Sequence, residues 1–536
     1  MSMNPTVLIG LDGATFTILD HLVENGTMPF LAQFIKTGAR ANLLSTANPL
    51  TPPAWVSLMT GRSPGEHGVI DFIWSEERKS DHYFTLYNFR DIHCETVWEL
   101  VSRQGGRISS LNFPMMAPPP AVSGAIVPGL VSWKHLKMNV HPPELYDRMK
   151  ALPGFSPKDL AWDFDLEKKA ERGVPVEEYE KWITFHIRRE KQWFAILRDL
   201  MQKTPSDLTA MLFDGTDKIS HMGWRFLDPA FYPKNPSPFE QKIRNLCLDF
   251  FKEVDEFIAD ICRMAGPEAH VFMASDHGFG PSTFVFRVNT WLHEQGYLTW
   301  KSMEGLDEKE RRSAEKLAER HFVYLDWDKT TAYARTTTSN GIYIRVAREP
   351  GQTGIPPEQY ETFRDALKAK LLALQNPADG NPVVQRVLNR EEAYPGANNR
   401  QAPDLTLVMS DHSFVSILNR KPVVCQRPEI EGTHYPEGIF MAHGPGIRPG
   451  AKLPLLSILD IAPCLVYSLG LDVPADFEGR VPDGLFTEGW MQQHPCKTGE
   501  KTKVPDSYAV SAEQRALKGE DKEQVCRLLQ ALGYME

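Results

Sequence analysis

The chain has 536 residues, 42% hydrophobic and 24% charged, with a formal net charge of −10. That length exceeds one simple core, so two or three lobes, or one large α/β core with insertions, are expected. An acidic balance without a sizeable basic run argues against a general nucleic-acid-binding surface, and the lack of any apolar run of about 18 residues argues against a membrane span.

The start, MSMNPTVLIGLDG, enters a strand directly and shows no signal-peptide pattern. The apolar run TVLIG (6–10) reads as a buried parallel strand, followed closely by Asp12-Gly13. Asp12 is either a turn residue or the first carboxylate of a site. Residues 16–38 read as a helix interrupted near Gly26 and Pro29. In NPLTPPAWVSLMTGRSPGEHG (48–68), Thr51 reads as the N-cap of a helix with prolines in its first turn. A helix N-terminus concentrates unpaired N–H groups and positive potential, which suits a phosphate. The Thr51 hydroxyl therefore caps, reacts, or does both. His67 reads as a brace for the turn after this helix.

ISSLNF (108–113) reads as a further strand, and residues 130–205 have a different texture, rich in Trp, Lys, Glu and Pro. LTAMLF (208–213) runs into Asp214-Gly215, and FDGTDKISHMGW places Asp217 and His221 four apart. On a helix that spacing puts carboxylate and imidazole on one face, as a metal pair or a plain surface pair. Asp214 is a rival ligand. Residues 239–265 carry Ile243, Leu246, Phe250, Val254, Phe257 and Ile261 at helical spacing. HVFMAS (270–275) runs into Asp276-His277-Gly278. Residues 300–400 contain a charged helix (304–320) and a second near 357–375, and read with 130–205 as insertions capping the sheet edge. DLTLVM (404–409) repeats the pattern of a strand running into polar residues. GTHYPEGIFMAHGPG offers His434 and His443 as ligands, and 455–470 reads as a buried helix. The tail 486–536 begins polar and Lys-rich and ends in an amphipathic helix (511–533).

Strands alternating with helices give an α/β class with a mostly parallel sheet, and ligands of such sheets sit beyond the carboxyl ends of the strands. Neither a P-loop nor G-x-G-x-x-G occurs. Asp12, Asp217, Asp276, His221, His277 and His434, with Thr51, form a ligand set suited to two borderline cations, Zn²⁺ first and Mn²⁺ second. A pure Mg²⁺ or Ca²⁺ site would use fewer imidazoles. The seven cysteines are dispersed and lack C-x-x-C, so reduced thiols and a cytoplasmic location are expected.

In chain order, the Asp-Gly turn, TPPAWVSLMTGRSPGEHGV, DKISH, SDHGF, GTH and AHGPG resemble the alkaline phosphatase superfamily. Within it, the likeness is to the type I phosphodiesterase/nucleotide pyrophosphatase group, over roughly residues 5–115, 205–300 and 400–485. The resemblance implies an alkaline-phosphatase-like catalytic domain over 1–485, with cap insertions at about 130–205 and 300–400 and the separate tail at 486–536. It implies Thr51 as nucleophile, one metal held by Asp12, Thr51, Asp276 and His277, and the other by Asp217, His221 and His434. Asp214 and His443 then fall outside the ligand set. The implied reaction is hydrolysis of a small phosphorylated substrate, a phosphodiester or nucleotide pyrophosphate before a monoester, through a phospho-threonine intermediate.

One departure stands out: where nucleotide pyrophosphatases carry a phosphate-holding asparagine, HGVIDF puts Asp71-Phe72. Alternatives on the same residues are a phosphomonoesterase, a phosphomutase, or an inactive metal-binding protein. A sulfatase fits poorly, since Thr51 lacks the C/S-x-P-x-R context. Trp133, Lys134, His135 and Lys218 are candidate substrate contacts or solvated surface. No nucleic-acid duplex and no membrane partner is expected.

Overall fold

Strand Thr6–Leu11 (β1) is buried along its whole length and apolar after Thr6, because it lies inside a sheet covered on both faces. The structure, a computed structural model, describes residues 3–75, 84–160, 176–302, 325–349 and 351–503. The helices expected at 304–320 and 511–533 lie outside the described residues. Contacts divide the described chain into two units. The first draws on Met1–Val69, Tyr87–Gly280 and His434–Val510, the second on Ile70–Leu86 and Pro281–Thr433.

The first unit is built on a sheet of nine strands among the described residues. With β1 they include Ala39–Leu44 (β2), Ile108–Leu111 (β3), Gly124–Val127 (β4), Leu208–Phe213 (β5), His270–Ala274 (β6), Glu437–His443 (β7) and Ala451–Lys452 (β8). Their order is β8-β2-β7-β6-β1-β5-β3-β4, with Leu456–Ser457 also paired to β2. β1 runs parallel to β5 and β6, and β3 parallel to β4 and β5. β7 runs antiparallel to both β2 and β6. The result is a mixed α/β architecture with a large, mostly parallel sheet flanked by helices.

Three helices position functional side chains or brace those that do: Thr51–Thr60 (α1), Val176–Lys203 (α2) and Gly215–Leu227 (α3). α2 packs on α3 and on helix Pro238–Ala265. The latter starts in a Ser237/Glu240 capping box and buries Ile243, Phe250, Val254, Phe257 and Ile261. The break expected near Gly26 and Pro29 separates helices Phe16–Glu24 and Pro29–Thr37. The buried helix expected at 455–470 is shorter, Ile461–Ser468.

The second unit carries a four-stranded sheet in the order Ala332–Tyr333, Gly341–Ile344, Leu405–Met409, Val384–Asn389. Leu405–Met409, read as a repeat of the core strands, pairs antiparallel with both neighbours. An apolar run reports burial and does not name its partner strand. Helix Tyr360–Leu372 packs on Val384–Asn389. No helix among the described residues is long and apolar enough to cross a membrane, and the six described cysteines are free thiols.

Candidate active site

The site grows from the carboxyl ends of β1 and β6. These are parallel neighbours in register Gly10 to Ala274, so the residues just beyond them share one edge of the sheet. Asp12 still pairs its N–H with Phe213 O at 3.1 Å. Gly13 then turns the chain at φ 64°, where its N–H donates to Asp276 Oδ1 at 3.1 Å. A Cβ on Gly13 would lie 2.8 Å from the Phe279 ring. Trp55, one turn along α1, donates its Nε1–H to Asp12 Oδ2 at 3.3 Å and fixes that carboxylate from behind. His277 Nδ1 faces the carbonyl of Gly278 at 3.0 Å, so Nδ1 carries the proton and Nε2 presents a lone pair. That Nε2 lies 3.2 Å from Asp276 Oδ2, 3.5 Å from Asp12 Oδ1 and 3.5 Å from Thr51 Oγ1.

Thr51 is not the N-cap of α1. Leu50 occupies that position and Thr51 is the first helical residue, with no side-chain capping bond. Its hydroxyl is thereby released from capping and aims at His277. The helix end also offers fewer donors than its position suggests. Pro52 and Pro53 have no N–H, and Ala54 N–H is taken by Leu50 O at 3.0 Å.

A second group lies on α3. Asp217 and His221 share a helix face, with His221 Nε2 at 3.4 Å from Asp217 Oδ1. His434, at the end of strand Val424–Tyr435, brings its Nε2 to 3.2 Å from Asp217 Oδ1 and 3.1 Å from His221 Nε2. Its Nδ1 faces Pro49 O at 2.9 Å, which again leaves a lone pair on Nε2. The His277 and His434 rings stack at 3.6 Å and join the two groups. Lys218 Nζ donates to Asp217 Oδ2 at 2.9 Å.

The donor set points to cations. Asp12 Oδ1, Asp217 Oδ1 and Asp276 Oδ2 are buried and accept no hydrogen bond from the described residues. Each faces an imidazole nitrogen whose proton is committed elsewhere. Lone pairs turned on lone pairs in a dry pocket repel unless a positive ion lies between them. Asp12, Asp276 and His277 form one such cluster and Asp217, His277 and His434 another, each with ligand atoms within 4.8 Å of one another.

Burial, with the nearby charges of Asp276 and Asp217, holds the Asp12 carboxyl well above the usual range. Burial lifts Asp276 to about 8. Burial opposes the charge of Asp217 as well, but Lys218 and the imidazoles of His221 and His434 hold it well below the usual range. Burial keeps His277 and His434 neutral by lowering both, as ligation requires.

Other expected residues fall elsewhere. His443 stands at the far end of β7 beside Phe34, opposite Val271 at the start of β6. Asp214 is buried in an ion pair with Arg189 and accepts from Asn112 Nδ2 at 3.0 Å. His67 is buried under α1, with Nε2 3.0 Å from Ser57 Oγ and Nδ1 accepting Val69 N–H at 3.2 Å. In the second unit, Asp71 accepts from the hydroxyls of Thr336 and Thr338 at 2.7 Å each and from Phe72 N–H at 2.7 Å. It ties that loop in place, and Phe72 is itself buried. Trp133 and Lys134 are exposed, with Lys158 5.3 Å above the Trp133 ring.

The residue pattern alone did not single out Trp55, Arg189 or Glu190. Trp55 is four residues from Thr51 and so on its helix face. Arg189 sits in the apolar stripe of α2 formed by Trp182, Trp193, Leu197 and Leu200, where a buried cation needs a partner.

A family model described as type I phosphodiesterase/nucleotide pyrophosphatase matches residues 6–437. No curated protein sequence matches the chain. Among solved structures, phosphonoacetate hydrolase from Sinorhizobium meliloti, in complex with phosphonoformate or with phosphonoacetate, is similar at TM-score 0.52 and 16% identity. The likeness covers 87% of this chain and 95% of that one, and at such identity it speaks for the fold. An inactive variant of murine ectonucleotide pyrophosphatase/phosphodiesterase 5 in complex with AMP is similar at TM-score 0.46 and 14% identity, with the same 87% and 95% coverage.

Proposed function

The chain belongs to the type I phosphodiesterase/nucleotide pyrophosphatase family of hydrolases, and on that premise we propose a two-metal phosphoester hydrolase with Thr51 as nucleophile. Phosphodiesters or nucleotide pyrophosphates are favoured as substrates. Asp12, Thr51, Asp276 and His277 would hold one cation and Asp217, His221 and His434 the other, Zn²⁺ before Mn²⁺. The single observation that carries this reading is the gathering of the unpartnered Asp12 Oδ1 and Asp276 Oδ2 around His277 Nε2, which itself lies 3.5 Å from the Thr51 hydroxyl. Bound there, divalent ions supply Lewis-acid charge that lowers hydroxyl pKa values and neutralises phosphoryl oxygens.

The protein's own residues do the rest. Trp55 orients Asp12, the Gly278 and Pro49 carbonyls fix the imidazole tautomers, and α1 delivers Thr51 into a dry pocket. The Thr51 oxygen bonds to phosphorus as the leaving oxygen departs with a proton. Water then cleaves the phospho-threonine and restores the hydroxyl. The test is turnover of bis-p-nitrophenyl phosphate, p-nitrophenyl phosphate and nucleotide diesters by protein reconstituted with Zn²⁺ or Mn²⁺. Bound metal without turnover on any of these leaves the inactive metal-binding reading. Phe72, at the position where nucleotide pyrophosphatases carry an asparagine, favours a second reading as phosphomonoesterase or phosphomutase. Faster cleavage of the monoester, or an isomerised product, would select it.

A further inference from the structure

We propose that Arg189 and Glu190 are positioning residues for the second metal pocket, clamping the first turn of the helix that carries Asp217 and His221. The inference rests on the two-metal reading of the site.

Three side chains on one face of α2 reach the start of α3. Arg189 pairs with the Asp214 carboxylate at the N-cap of α3. Glu190 Oε1 accepts the N–H of Gly215, the first helical residue, at 2.7 Å. Trp182, seven residues before Arg189, donates its Nε1–H to Lys218 O at 3.3 Å. Arg189 is also held from behind, by Leu160 O at 3.2 Å and Asn112 Oδ1 at 3.4 Å, while Asn112 Nδ2 binds Asp214 and Leu212 O. Gly215 makes the approach possible, since a Cβ there would lie 2.7 Å from Glu190 Oε1 and 2.8 Å from the Phe250 ring.

This device is a poor one for stability alone. Arg189, Asp214 and Glu190 are all buried, and an ion pair as enclosed as Arg189–Asp214 loses in desolvation much of what it gains in attraction. Apolar residues of similar volume would often hold the helices as firmly. Directional bonds at Asp214, Gly215 and Lys218, spanning the first turn of the helix, set its rotation and register, which packing does not. Asp217 and His221 project from that turn and the next, and a metal site tolerates placement errors of only about 0.5 Å. Asp12 and Asp276 are placed differently: they lie just beyond adjacent parallel strands, with Trp55 Nε1–H and Gly13 N–H donating to their carboxylates.

The test uses the full chain, stripped of metal and titrated with Zn²⁺ against a chromophoric chelator. His221→Ala marks which of the two sites is the second. Arg189→Met and Glu190→Met are expected to raise the second-site dissociation constant about 10- to 100-fold. Glu190→Gln, whose amide oxygen still accepts the Gly215 N–H, is expected to keep it. First-site affinity is expected to be unmoved in all of them. Should Arg189→Met fail to fold with Asp214 left unpaired, the Arg189→Met/Asp214→Asn double variant removes both buried charges and is expected to show the same second-site loss. A lowered melting temperature with both affinities unchanged overturns the clamp and leaves the two-metal reading standing. A wild type that binds fewer than two ions overturns that reading, and the clamp with it.

Discussion

The two halves of the site are held by different parts of the fold. Asp12 and Asp276 sit at the ends of adjacent parallel strands, and their spacing is set by the register of β1 against β6. Asp217, His221 and His434 come from a helix and a strand end, so their spacing depends on how those elements are braced. The electrostatics differ in parallel. Burial and the neighbouring charge of Asp217 push Asp12 and Asp276 toward the protonated form, whereas Lys218, donating to Asp217 Oδ2, keeps Asp217 charged against the cost of burial. His277 is enclosed, while the His221 side chain is 34% exposed. The contrast predicts a first pocket that is rigid and gives up protons on taking an ion, and a second that is charged in advance and mechanically softer.

The largest effect is expected at the Thr51 hydroxyl, 3.5 Å from His277 Nε2. Thr51→Ala is expected to lower turnover by at least about a thousandfold, on the order of 4 kcal/mol of barrier, while two ions remain bound by elemental analysis. Substantial residual turnover would remove Thr51 as nucleophile.

Next comes the asymmetry itself. Asp276→Asn changes a fully buried carboxylate of the proposed first site and is expected to abolish first-site binding, which added Zn²⁺ does not restore. His221→Ala opens a half-exposed position that water can fill. It is expected to weaken the second site about 10- to 100-fold and to recover activity as Zn²⁺ is raised. Equal losses in the two variants, or equal rescue, would mean that the pockets do not differ in rigidity.

A smaller change sharpens the same contrast from behind the ligand. Trp55→Phe keeps most of the buried ring but removes the Nε1–H that Asp12 Oδ2 accepts. First-site affinity is expected to fall about tenfold, with the second site unmoved. An equal fall at both sites would trace the effect to α1 as a whole.

This division also explains what the sequence disclosed. An apolar run that stops near an aspartate is a strand-end signal in one dimension, so Asp12 and Asp276 were legible, as was the Asp217/His221 helix spacing. Thr51 was legible as a helix-start residue but not as its first helical residue, because the cap depends on the backbone turn at Leu50. Leu405–Met409 was legible as a strand but not as a member of the smaller sheet, since partner choice is a tertiary property. Arg189 and Glu190 lie some 25 residues from the helix they hold, and only the presence of charge in an apolar stripe hinted that something faced them.

An effect on stability and not on turnover isolates α1 from both pockets. His67 is enclosed beneath that helix, and burial lowers it from 6.5 to about 3. Its folded form stays neutral where the unfolded chain takes up a proton. Its contribution to stability is therefore intact above about pH 6.5 and drains away as pH falls toward 3, by about 1.4 kcal/mol per pH unit. Denaturant unfolding of the metal-loaded protein at pH 7 and pH 5 should show a steeper loss for the wild type than for His67→Gln, by about 2 kcal/mol at pH 5. Identical pH slopes would mean that His67 is already charged in the fold. A change in metal affinity at pH 7 would mean that the turn it braces bears on Thr51 and the first pocket, and the rigidity assigned to that pocket would then rest on α1 as much as on the sheet.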